Sequence, residues 1–99
     1  EIPRDMEYMD LSRNELTGSI PEGIGKLMNL TYLAMSSNIL RGKIPVSIAL
    51  LPSLKEISLF KNNLSGALPQ KLGSHSELRY LYVAENKLSG NLRDSLFSG

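Results

Sequence analysis

One period governs this sequence. Shifted by 24 residues, the chain falls on itself with the same residue types at the same offsets. Leu30, Leu54 and Leu78 align, and Met6 holds their place at the start. Counting from each, apolar residues follow at +3 (Met9, Leu33, Ile57, Leu81) and at +5 (Leu11, Met35, Leu59, Val83). Asparagine recurs at +8 as Asn14, Asn38, Asn62 and Asn86, and leucine at +10 as Leu16, Leu40, Leu64 and Leu88. Gly18, Gly42, Gly66 and Gly90 stand at +12, then Ile20, Ile44, Leu68 and Leu92 at +14. Proline fills +15 three times, with Arg93 in the last copy, and Ile24, Ile48, Leu72 and Leu96 complete the set at +18.

Each column has a physical reason. Apolar residues two apart, with polar or variable neighbours, alternate as a short half-buried strand does. An asparagine amide donates and accepts, so at the bend after the strand it can satisfy backbone groups left unpaired there. Glycine at +12 allows a positive φ or a close approach between windings, and the proline after it stiffens the exit. A single winding cannot bury its own apolar residues; a stack of them can. The period therefore predicts a single solenoid domain over residues 1–99, with windings 6–29, 30–53, 54–77 and 78–99. The four asparagines form a ladder through its interior.

Composition agrees with a folded chain: 41% of residues are hydrophobic and 21% charged, and the formal charge is +1. That balance gives no electrostatic footprint for nucleic acid. The longest apolar stretch, Val46 to Leu54, is too short to cross a bilayer and contains Pro52, so no membrane contact is expected of this segment. No targeting segment opens the chain. Without cysteine there is no disulfide framework and no thiolate metal site.

The columns together, L-x-x-L-x-L-x-x-N-x-L-x-G-x-I-P-x-x-L-G, resemble the plant extracellular class of leucine-rich repeat over residues 6 to 99. The resemblance implies an α/β solenoid, right-handed, with a concave parallel β-sheet. It also implies a second, shorter strand at the Gly-x-Ile-Pro element and loops or short helical turns on the convex side. Such repeats build the ectodomains of receptor-like kinases and receptor-like proteins, at the cell surface, and also secreted inhibitors of wall-degrading enzymes. The run Leu72 to Leu78 is similar to HAESA-like peptide-hormone receptors. Complete ectodomains carry cysteine caps, which this chain lacks. Uncapped ends expose apolar surface and strand edges, so self-association is expected.

No catalytic constellation emerges, and no enzyme, cofactor or metal site is expected. The single histidine, His75, takes an offset filled by Leu27 and Leu51 in other windings and reads as a convex filler. "EGIGK" at 22–26 lacks the spacing of a phosphate loop, and the repeat accounts for its glycines. Two Asn-x-Ser/Thr triplets, at Asn29 and Asn63, are candidate glycosylation sites.

The functional signal lies on the face opposite the core. Strand residues at +2, +4 and +6, with +7 just beyond, point to solvent in this register. Tyr8, Tyr32, Tyr80 and Tyr82 all fall there, which is every tyrosine in the chain, together with Phe60. The core needs none of them. Aromatics also favour strands and stack across them, but tyrosine is enriched at recognition surfaces. With Asp10, Arg13, Glu56, Lys61 and Glu85 supplying polar selectivity, these residues form a candidate surface for a peptide or protein ligand, with a co-receptor as a further partner. The alternatives are a polygalacturonase-inhibitor-like secreted protein and a passive segment of a larger solenoid.

Overall fold

The computed structural model describes residues 5–70, 72 and 76–90. In chain order the elements are β1 (Tyr8–Asp10), a 3₁₀ helix (Glu22–Lys26), β2 (Tyr32–Ala34), β3 (Arg41–Gly42), α1 (Val46–Ala49), β4 (Glu56–Ser58), β5 (Asn63–Ala67), β6 (Tyr80–Tyr82) and β7 (Lys87–Ser89). The alternating stretch of each winding yields one short strand. These strands make a parallel sheet in the order β1-β2-β4-β6. Its register keeps the 24-residue period: Met9 faces Leu33, Leu33 faces Ile57, and Ile57 faces Leu81. Beyond the strands the ladder runs on, as the Leu11, Met35 and Leu59 amides donate to Ala34, Ser58 and Tyr82 at 2.8 Å.

A second parallel sheet, β3-β5-β7, forms just ahead of the Ile-Pro positions. Its register is not the sequence period. Arg41 pairs with Asn63 and Ser65 with Lys87, each 22 residues apart. The slip is two residues per winding, and an even slip leaves every side chain on its own face. Between the sheets and the convex helices lies the apolar interior. Leu30, Leu33, Ile48, Leu59 and Leu64 are fully enclosed, and Ile20, Ile44 and Leu68 close the side beneath the second sheet.

The bend after each first-sheet strand has one conformation throughout. Arg13, Ser37, Lys61 and Glu85, all at +7, adopt φ of 57 to 59°, the left-handed region. For non-glycine residues this costs about 1–2 kcal/mol each. The next residue is the asparagine, and its amide compensates. Asn62 Nδ2 donates to the Leu59 carbonyl of its own winding (3.1 Å) and to the Met35 carbonyl of the preceding one (3.0 Å). Its Oδ1 accepts the Leu40 amide at 3.0 Å. Asn38 and Asn86 repeat the pattern, reaching back to Leu11 and Leu59. Asn14, in the first described winding, is exposed and bonds only the Leu11 and Ser12 carbonyls nearby.

The convex side packs by close approach. Pro21 and Pro45 lead in extended conformation to the 3₁₀ helix and α1. A Cβ on Gly25 would overlap the Cβ of Ser47, which itself donates to the Glu22 carbonyl. Glycine at +12 serves the other purpose as well: Gly66 has φ of +74°, and a side chain there would press on Lys43. His75, and the +14 and +18 residues of the last winding with Arg93, lie outside the described residues.

Two outcomes follow from this packing. Asn62→Ala should lose about 1–3 kcal/mol in denaturant unfolding, whereas Asn14→Ala should lose markedly less, because only the former leaves carbonyls of two windings unpaired inside. Gly25→Ala should destabilise by about 1–3 kcal/mol. Ser47→Gly should recover part of that loss, seen as a coupling term in a double-mutant cycle.

Candidate functional site

The outer face of the first sheet is a hollow of about 690 Å³. Strand alternation puts +2 and +4 residues there, and winding onto the bend adds +6 and +7. Tyr32, Phe60 and Tyr82 form its aromatic walls, Asp10, Glu56 and Arg13 bring the charges, and Ser12, Ala34, Ser36 and Ser58 make its floor. Six of the ten residues singled out in the sequence thus converge on one concavity. The other four stand at its margins. Tyr8 stacks on Tyr32 with ring centroids 4.3 Å apart and planes at 12°. Tyr80 lies parallel to Tyr82 at 6.4 Å. Lys61 and Glu85 are exposed at their bends.

One expectation needs correction. The inner columns point away from the core, as the register requires, but they do not all reach solvent. Ala34 is 2% exposed, Ser36 6% and Ser58 6%, against 63% for Tyr8. On the inside of a curved sheet side chains converge, so large residues such as Tyr32, Phe60 and Tyr82 shade the small ones between them. The floor residues were visible as small residues in columns +4 and +6, but sequence alone gave no measure of curvature. The floor is also polar and ordered: Ser36 Oγ donates to Ser12 Oγ at 3.0 Å, and the Ser36 amide donates to the same oxygen at 3.2 Å.

The electrostatics follow from these contacts. The Ser12 amide donates to Asp10 Oδ1 at 3.0 Å. With help from the Ser12 hydroxyl and the Arg13 charge, that bond holds the Asp10 carboxyl below its ordinary range. Tyr32 is pushed the other way, mainly by burial, then by Tyr8 and the Asp10 and Glu56 carboxylates, so it remains a neutral phenol and a hydrogen-bond donor. Among the described residues no group of His, Asp and Glu side chains is arranged to hold a metal ion. Asn29 and Asn63 are both exposed, Asn63 on the second sheet and away from the hollow. No described helix is long and apolar enough to cross a membrane.

Comparison with known proteins agrees with this architecture. The Leucine Rich Repeat family matches residues 5–27, 29–51, 53–75 and 77–98. Among solved structures, the chain is similar to a TDR receptor, at 42% identity and a TM-score of 0.87 over 90% of this chain and 15% of the other. It is similar to the plant peptide hormone receptor RGFR1, solved in complex with RGF2, at 43% identity and a TM-score of 0.86 over 90% and 14%. The Arabidopsis receptor kinase HAESA, in complex with the peptide hormone IDA and the co-receptor SERK1, matches at 39% identity and a TM-score of 0.82 over 86% and 14%. The chain therefore spans about a seventh of the length of these receptors. Curated protein sequences give no match. By its repeats and by these structural likenesses, the chain belongs to the leucine-rich repeat family, and its structural relatives include plant receptor kinases.

Proposed function

We propose that these windings are an extracellular recognition segment of a plant receptor-like kinase or receptor-like protein, and that the first-sheet hollow contacts an extended peptide or a protein. The reading is non-enzymatic: the segment binds, and transforms nothing. The observation that carries it is the gathering of Tyr32, Phe60 and Tyr82 around a shaded polar floor. Aromatic side chains that the core does not need, placed on a concave surface beside serine hydroxyls, favour ligand contact over stability. That RGFR1 and HAESA were each solved with a peptide hormone supports a peptide over a small molecule. HAESA also carries SERK1, which supports a co-receptor as the second partner.

Parallel strands lie about 4.8 Å apart and an extended peptide advances about 3.3 Å per residue, so four strands accommodate roughly four or five ligand residues. Contact on that scale is weak by itself. The 99-residue chain should therefore bind short peptides only loosely.

For the 99-residue chain taken by itself we propose self-association through its last described winding. Leu33 and Ile57 are 0% and 1% exposed, whereas Leu81, their counterpart in the last winding, is half-buried. Leu78, Val83 and Leu88 are half-buried in the same way, where Leu54, Leu59 and Leu64 are enclosed. Light scattering after size exclusion should show a mass rising with concentration; a monomer at every concentration would refute this.

The recognition reading is tested by chemical-shift mapping of the 15N-labelled chain against a panel of extended peptides. Shifts should concentrate on β1, β2, β4 and β6, and Phe60→Ala or Tyr82→Ala should weaken binding by about tenfold or more with the far-ultraviolet spectrum unchanged. Shifts confined to the 3₁₀ helix and α1 would sink the assignment.

A further inference from the structure

We infer that the part of the hollow built by β1, β2 and β4 is a seat for a cationic side chain, arginine above all, presented by an extended peptide; this rests on the recognition reading above. The geometry begins with the register. Tyr32 on β2 pairs with Tyr8 on one side and with Glu56 on the other. Tyr8 covers one face of the Tyr32 ring at 4.3 Å. The opposite face is turned toward the strand that carries Glu56. Asp10 shares the outward face of β1 with Tyr8 and lines the hollow together with Tyr32 and Glu56.

Glu56 therefore stands on the open side of the Tyr32 ring, and Asp10 stands on the β1 side of the same hollow, opposite the small Ala34. Neither carboxylate is paired with a cation among the described residues. Among the described residues Asp10 is held only by Ser12, through its amide and with help from its hydroxyl, and forms no ion pair. The Glu56 carboxylate has no hydrogen-bond or ion-pair partner there. Arg13 lines the same hollow, but from the bend, and lowers the Asp10 carboxyl only through its field. Both carboxylates raise the Tyr32 phenol, as they must if all three share one space.

A guanidinium fits this set better than other groups. Its plane lies flat on an aromatic face, where the ring quadrupole attracts it. Its N–H fork reaches a carboxylate with directed, charge-assisted hydrogen bonds. Lysine supplies the charge without the plane. A neutral side chain leaves the two carboxylates as they stand, and an acidic one is repelled. The concave walls raise the local negative potential and strengthen this discrimination. The Ser12 and Ser36 hydroxyls beyond the seat face the backbone of a peptide passing over it.

Blocked pentapeptides Ac-Ala-Ser-X-Ser-Ala-amide, with X as arginine, lysine or citrulline, test the inference when titrated into the 15N-labelled 99-residue chain. Citrulline keeps the shape of arginine and removes its charge. The arginine peptide should shift amides around Asp10, Tyr32 and Glu56, with lysine weaker and citrulline weaker by about tenfold. Glu56→Gln and Asp10→Asn should each reduce the arginine preference severalfold; the thermal midpoint should stay in place for Glu56→Gln, whose carboxylate has no hydrogen-bond partner, and fall slightly for Asp10→Asn, which keeps an oxygen for the Ser12 amide but loses the charge. Equal midpoints for arginine and citrulline at the same amides would overturn the cationic seat and leave the recognition surface standing. So would an arginine preference that survives in the double variant. An absence of shifts on β1, β2 and β4 with all three peptides would overturn both.

Discussion

The stack depends on one amide group per winding. Each chain reversal after the first sheet passes through a left-handed residue, and the bend turns carbonyls inward where no other backbone donor can reach them. Asn38, Asn62 and Asn86 answer with the same bonds, donating to carbonyls of two windings and accepting an amide from the one before. Aspartate lacks the N–H, and leucine lacks both functions. The leucines supply most of the driving force for burial, but they would tolerate several spacings. The amide ladder does not. It ties one winding to the next at a fixed offset and so holds strands, apolar columns and concave face in phase.

The concave surface is a by-product of that regularity. Because the first sheet keeps its full period, residues at one offset form rows across the sheet, and curvature pushes their tips together. The large residues among these rows then enclose the small ones. Tyr32, Phe60 and Tyr82 gain walls without any loop or insertion being built for them, and Ser36 and Ser58 become floor. The charged residues differ from winding to winding, so variation is concentrated where the repeat places no demand.

Much of this could be read from the residues. The period located each first-sheet strand to within a residue, and the apolar columns fell inside. Asn38 and Asn62 do the work their chemistry suggested, and glycines at +12 do have positive φ. Three features escaped. The second sheet's slip of two residues depends on how the windings tilt, and no column records a tilt. The left-handed backbone at Arg13, Ser37, Lys61 and Glu85 was hidden because the four side chains have nothing in common; the bend, not the residue type, imposes it. The shading of Ala34, Ser36 and Ser58 depends on curvature, which is a property of the assembled stack.

The shared bend has an evolutionary corollary. A position whose conformation is imposed by its surroundings accepts arginine, serine, lysine or glutamate at a similar backbone cost, so its side chain can be exchanged without disturbing the fold. Loss or duplication of one complete winding would likewise rejoin every row in phase, whereas removal of a single residue would break the amide ladder. Lineages of such proteins are free to change length by whole turns and to rewrite their charged rows independently, altering how far a partner extends and what it must carry through separate mutational routes.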